Sequence, residues 1–112
     1  FGPNLFQLVH KRLISAKKLL EKGDYQQFHS ELLDVLFMYV STKFSLEKAN
    51  LSTEKIEEIL ILNSVSKDIV ADYLSVIKRL ELYRYSAHEE NIKTDDLYGS
   101  VLDVINKIEK SI

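Results

Sequence analysis

Apolar residues recur along this chain at three- and four-residue steps, and no stretch alternates over the length of a strand. Leu5, Leu8, Val9, Leu13, Ala16, Leu19 and Leu20 mark one face of a first helix, with lysines on the other side. Gly23 follows its last turn, where a left-handed cap costs glycine least. Asp24 then suits the cap of a second helix, with Gln27 three residues on completing a capping box. So short a link predicts an antiparallel helical hairpin. The second helix, Tyr25 to about Phe44, presents Phe28, Leu32, Val35, Leu36, Tyr39 and Val40 on one side.

The stretch Ser45 to Leu51 is less regular and offers Leu46 and Leu51 to the edge of a core. Ser52 or Thr53 starts a short third helix through Ile56, Ile59 and Leu60, and Asn63-Ser64 ends it. Ser66 caps a fourth, where Asp68 in the first turn complements the positive helix end. Its apolar face is Ile69, Tyr73, Val76, Ile77 and Leu80. Polar residues from His88 to Lys93 read as a loop. Thr94, with Asp95 and Asp96, opens a last helix whose stripe is Leu97, Val101, Val104, Ile105, Ile108 and Ile112. The expected fold is all-α: a compact bundle of about five helices beginning with the helical hairpin, with residues 1–112 as one domain.

Composition agrees. Three glycines and one proline are too few for the turns of a sheet protein of 112 residues. With no cysteine, disulfides and thiolate metal sites are excluded. No apolar run approaches the ~20 residues that cross a bilayer. The start Phe1-Gly2-Pro3, without an initiator methionine, reads as a fragment cut from a longer protein.

Charge is uneven. Residues 1–23 carry Lys11, Arg12, Lys17, Lys18 and Lys22 against Glu21, a balance of +4, and the rest of the chain is acidic by 6. Such asymmetry fits a surface near acidic lipid as well as a solvated basic helix face.

Candidate chemistry is sparse. His10, His29 and His88 fall in separate segments without the Glu-x-x-His or His-Glu-x-x-His spacing of metal helices, so all three are expected at the surface. The scattered glycines assemble no phosphate cradle. Gly99, inside the last helix, is expected to allow close packing of an aromatic such as Tyr83 or Tyr85. No serine lies in a nucleophile elbow, and Glu57-Glu58, Glu89-Glu90 and Asp95-Asp96 read as solvated surface. The third and fourth helices outline a helix-turn-helix, but Asp68 and Asp72 would face phosphates where cations are needed. The expectation is a binding domain, not an enzyme, with no cofactor, no metal and no nucleic acid.

The most unusual cluster is Tyr83-Arg84-Tyr85, preceded by Glu81. These residues suit a packing role, rings buried and Arg84 clamping a carboxylate, or a partner-binding role, since Tyr and Arg are enriched at interface hot spots.

Three stretches carry a likeness to a known family. They are Ala16-Lys17-Lys18-Leu19-Leu20 leading to Gly23-Asp24 and Phe28; Glu31-Leu32 through Leu36 to Tyr39-Val40-Ser41-Thr42-Lys43-Phe44 and Asn50-Leu51-Ser52; and Leu80-Glu81-Leu82-Tyr83-Arg84-Tyr85-Ser86, with Leu97-Tyr98 and Ile105 downstream. In this order and spacing the chain resembles the C-terminal domain of the BatD family of Bacteroides aerotolerance proteins. Ser86 stands where that family usually has alanine, and 88–93 lacks its proline. The resemblance implies exported β-sandwich modules, one membrane-spanning helix, and this domain on the cytoplasmic face of the bacterial inner membrane. Lys11, Arg12, Lys17 and Lys18 would then lie close to the membrane, as the positive-inside rule expects. It implies von Willebrand factor A-domain proteins and a MoxR-type AAA+ ATPase as partners, and no catalytic residues. A tetratricopeptide-like adaptor, binding peptides in a groove between helix pairs, is the alternative reading of the first hairpin.

Overall fold

The computed structural model describes residues 4–85 and 94–112. Among these described residues five α-helices form: α1 Leu5–Glu21, α2 Tyr25–Lys43, α3 Thr53–Leu62, α4 Lys67–Tyr85 and α5 Thr94–Ser111, with a short 3-10 turn at Lys48–Asn50. No strand is present among the described residues. The expected loop from His88 to Lys93 lies outside them, as do Phe1, Gly2 and Pro3.

Helix ends are set by polar side chains at the start and left-handed residues at the finish. Asn4, Asp24 and Ser52 accept from the main-chain N–H of Phe6 (2.9 Å), Gln27 (3.2 Å) and Lys55 (3.1 Å), and Ser66 accepts a longer bond from Ile69 (3.4 Å). The Asp24 box is half formed, because the Asp24 N–H instead donates to Leu19 O (3.0 Å). That bond, with Gly23 N–H to Leu20 O (3.0 Å) and Gly23 at φ 77°, makes a Schellman ending for α1. The same pattern closes α2 through Ser45 (φ 56°) and α3 through Ser64 (φ 65°), where a Cβ makes the left-handed conformation costly.

The order of contacts places α2 at the centre. It packs on α1 and α4, and α5 packs on both α4 and α2. Pairings along the helices fix their directions. Arg12 of α1 reaches Glu31 and Asp34 of α2; His29 and Leu36 of α2 meet Tyr83 and Tyr73 of α4; Asp72 of α4 meets Lys107 of α5. Each of these pairs is antiparallel. Tyr39 and Lys43, late in α2, both bind Glu109, late in α5, so those two helices run parallel. The resulting up-down bundle has α3 inserted in the α2–α4 crossover and packed on α4. Leu46 and Leu51 pack against the core from the connecting stretch, as the pattern predicts. The radius of gyration, 13.7 Å, is near the ~13 Å of a folded domain of this length.

The sequence stripes do supply the core: Leu13, Ala16, Phe28, Leu32, Val35, Leu36, Ile56, Leu60, Tyr73, Ile77, Leu80, Leu97, Val101 and Ile108 are sealed from solvent. Tyr73 is tolerated there because its hydroxyl donates to the Leu36 carbonyl at 2.6 Å. Two expectations fail. Ile112 lies past Ser111, the last residue of α5, where the chain leaves the packed stripe, and is 57% exposed. Gly99 is exposed, and a Cβ there would meet nothing within 4 Å among the described residues, so close packing is not its purpose.

Gly99→Ala should therefore stabilise the domain by about 1 kcal/mol through backbone entropy alone. Ser64→Gly should add roughly 0.5–1 kcal/mol by relieving the left-handed serine. Tyr73→Phe should cost about 1–2 kcal/mol through the lost buried hydrogen bond. Urea unfolding at neutral pH measures all three, and a sign opposite to any of these contradicts the corresponding assignment.

Candidate functional site

Helix α2 is apolar well beyond one stripe, and Leu33 and Phe37 form a second i, i+4 pair beside its main face. Where α2 passes the end of α4, these two side chains wall a surface cleft of about 270 Å³. Ser30, Asp34 and Lys48 line it from the α2 side and the following turn, and Glu81 and Arg84 line it from α4. The cleft thus has an apolar wall edged by two acids and two bases, an arrangement suited to seating one side chain of a partner with polar groups around it.

The proposed Glu81, Tyr83, Arg84, Tyr85 cluster is divided by the helix. Glu81 and Arg84, three residues apart, share the cleft-facing side of α4. Tyr83 turns inward, its ring 5.8 Å from that of His29. Tyr85 is the last residue of α4, and its side chain lies outside the described residues.

Charges behind the cleft are tied down. Arg12 bridges Glu31 (Nε to Oε1, 2.6 Å) and Asp34, and Lys48 also binds Asp34. Burial would raise the Asp34 pKa, but hydrogen bonds from Lys48 and Arg12 outweigh it and hold the carboxyl below its usual range. Burial would likewise lower the Arg12 pKa, but hydrogen bonds to Asp34 and Glu31 outweigh it and raise it above its usual value. Of the four basic residues expected near a membrane, Arg12 is therefore committed to the fold. Lys17 sits 5.6 Å from the centre of the Tyr98 ring, and Lys11 and Lys18 are exposed.

At the opposite end of α2, Tyr39 donates to Glu109, which also accepts from Lys43. Burial would push the Glu109 carboxyl up, yet Lys43 and Tyr39 bring it below its usual value. Burial, then the Glu109 carboxylate, raises the Tyr39 phenol. This is a structural clamp.

His29 is the main departure from the expected surface histidines. His10 is exposed and His88 lies outside the described residues, but His29 is completely buried between Phe28 (centroids 5.6 Å) and Tyr83. Neither ring nitrogen has a hydrogen-bond partner among the described residues. Burial lowers its pKa below 6.5; the nearby Tyr83 main chain opposes this only in part, at a geometry short of a hydrogen bond. His29 and Leu33 are one turn apart, so the buried ring neighbours the cleft wall within α2. The single-residue spacing gave no warning, because a lone histidine beside a phenylalanine carries no period of its own.

Among the described residues, no group of three His, Cys, Asp or Glu side chains is placed to hold a metal ion, and no helix is long and apolar enough to cross a membrane. Comparison with known proteins finds no matching family model, and no significant match among curated proteins or solved structures.

A neutral buried imidazole has a defined pH signature. Above 6.5 folded and unfolded states both carry it neutral; below 6.5 the unfolded state takes up the proton first, so stability falls as pH drops toward the lowered folded pKa. Urea titrations from pH 7.5 to about 5 should show this decline in the wild type and a flatter profile in His29→Leu. Parallel profiles would exclude His29 as its source.

Proposed function

We propose that this chain is a non-enzymatic protein-interaction domain, the cytoplasmic part of a BatD-like, membrane-anchored stress-tolerance protein, and that a partner docks in the α2–α4 cleft. The observation that carries the docking site is the convergence of Glu81 and Arg84 with Leu33 and Phe37 around one cleft. An apolar wall with an arginine at its edge is the composition from which interface hot spots are built. The likeness of the Gly23-Asp24, Tyr39–Phe44 and Leu80–Ser86 segments to the BatD family supplies the biological setting. Its candidate partners are von Willebrand factor A-domain proteins and a MoxR-type AAA+ ATPase. The exposed Lys11 and Lys18 on α1 support a position near an acidic membrane surface.

The tetratricopeptide-like alternative stacks successive hairpins in one direction and leaves a concave groove between them. Return of α5 onto α2, through Glu109, and the ring of Tyr98 on α5 beside Lys17 of α1 close the bundle instead, which favours the first reading.

Binding should be measured with the A-domain and ATPase proteins encoded beside the full-length protein. Arg84→Ala and Glu81→Lys are expected to weaken one of these complexes by roughly tenfold or more while melting within a few degrees of the wild type. Variants that melt and bind like the wild type would reject the cleft. A wild-type domain that binds neither protein would reject the partners.

A further inference from the structure

The outward side of α1 combines cations and apolar residues along its whole length. Lys11, Ser15, Lys18 and Lys22 follow one another at three- and four-residue steps, and Phe6, His10, Ile14, Lys17 and Glu21 form the next row; all of them are exposed. Phe6 and Ile14, at 60% and 45% exposure, stand among these lysines and not in the core. Among the described residues, the ion pairs made by α1 and its cap residue Lys22 are those of Arg12, which turns toward α2. Lys11, Lys18 and Lys22 face solvent.

Acids are kept away from the middle of this face. No Asp or Glu occurs between Asn4 and Leu20, whereas Lys11, Lys17 and Lys18 all lie within one turn of Ile14. Glu21 and Asp24 share the face only at its Gly23 end, where Asp24 caps α2. On the α2 flank, Glu31 and Asp34 are held by Arg12 and Lys48. Tyr98, Leu102 and Asn106 of α5 border the other flank without charge. Asp96 and Asp103 lie on the ridge of Ser100 and Lys107, and the side chain of Asp95 lies outside the described residues. Lys18 and Lys22 also complement the negative end of α1, but Lys11, Phe6 and Ile14 gain nothing from that.

We propose that this face rests on an anionic lipid surface, with α1 lying in the plane of the headgroups. Lys11, Lys17, Lys18 and Lys22 meet lipid phosphates, while Phe6 and Ile14 enter the boundary with the acyl chains. At 1.5 Å per residue the helix offers a contact about 25 Å long. The crevice beside Phe6 holds only about 20 Å³, room for little more than a water, so the face has no pocket for a partner's side chain. Nucleic-acid phosphates would match the lysines but leave Phe6 and Ile14 in water. The inference deepens the membrane-proximal reading above and rests on it, adding that the domain itself binds lipid. One face with two apolar residues gives reversible attachment.

Co-sedimentation of the chain with vesicles tests the proposal. It should bind vesicles of phosphatidylglycerol and phosphatidylcholine but not phosphatidylcholine alone. Binding should be lost between about 0.1 M and about 1 M salt, as the Debye length falls from about 10 Å to about 3 Å. Lys11→Glu with Lys18→Glu should weaken it at least tenfold, at roughly fivefold per lysine, while keeping wild-type circular dichroism. Lys67→Glu with Lys78→Glu, on α4, changes net charge equally and should weaken it far less. The chain has no tryptophan, so Phe6→Trp supplies a single reporter whose emission should shift to the blue on anionic vesicles. A wild type that ignores those vesicles, equal losses in the two charge-reversed pairs, or an unshifted emission each overturn the proposal. Binding to duplex DNA without binding to vesicles overturns it in favour of nucleic acid. If the chain ignores vesicles yet binds the A-domain or ATPase protein, the lipid face falls and the proposed function stands.

Discussion

Everything in this bundle is arranged around α2, whose burial extends over more than one face. Phe28, His29, Leu32, Leu33, Val35, Leu36, Tyr39 and Val40 are all buried along its length. A helix apolar over so wide an arc needs neighbours on several sides, and α1, α4 and α5 take those positions. The Tyr73 hydroxyl then fixes α4 to the Leu36 carbonyl from within the core. A buried donor with one available acceptor tolerates little sliding, so this bond sets the register of α4 as well as adding to stability.

Where α2 does reach solvent, polar groups collect. Glu31 and Asp34 hold α1 through Arg12 and the chain after α2 through Lys48. Lys43 and Tyr39 hold α5 through Glu109. Such pairs, partly exposed, contribute only about 0.5–1 kcal/mol each. Their larger effect is on specificity: they link helices distant in sequence and penalise alternative packings with unpaired charges. The cleft opens between these tied charges and the end of α4, which gives it a firm wall on the α2 side.

Among the described residues, His29 is the buried polar side chain left without a hydrogen-bond partner. A full hydroxyl partner was found for Tyr73, but the imidazole relies on remaining neutral and on ring contacts with Phe28 and Tyr83. Tyr83, on which it packs, stands next to Arg84 at the end of α4. Beside the other end of α4 lies the exposed Ile61-Leu62 end of α3.

Helix positions, their caps and most of the core were readable from sequence because they are local or periodic. Gly23, Asp24, Ser52 and Ser66 act within a turn of their own residues, and stripes such as Leu97, Val101, Val104, Ile105 and Ile108 state which face is buried without saying against what. Singling out Tyr83, Arg84, Tyr85 and Glu81 found two of the seven residues that line the cleft, Glu81 and Arg84. Ser30, Leu33, Asp34, Phe37 and Lys48, which form the rest, belong to other segments and carry no motif. Burial of His29, exposure of Ile112 and the open space beside Gly99 depended likewise on which helix lies alongside. A sequence pattern records each residue's preference for water or core, but only the packing of α4 and α5 around α2 decides whether that preference is met.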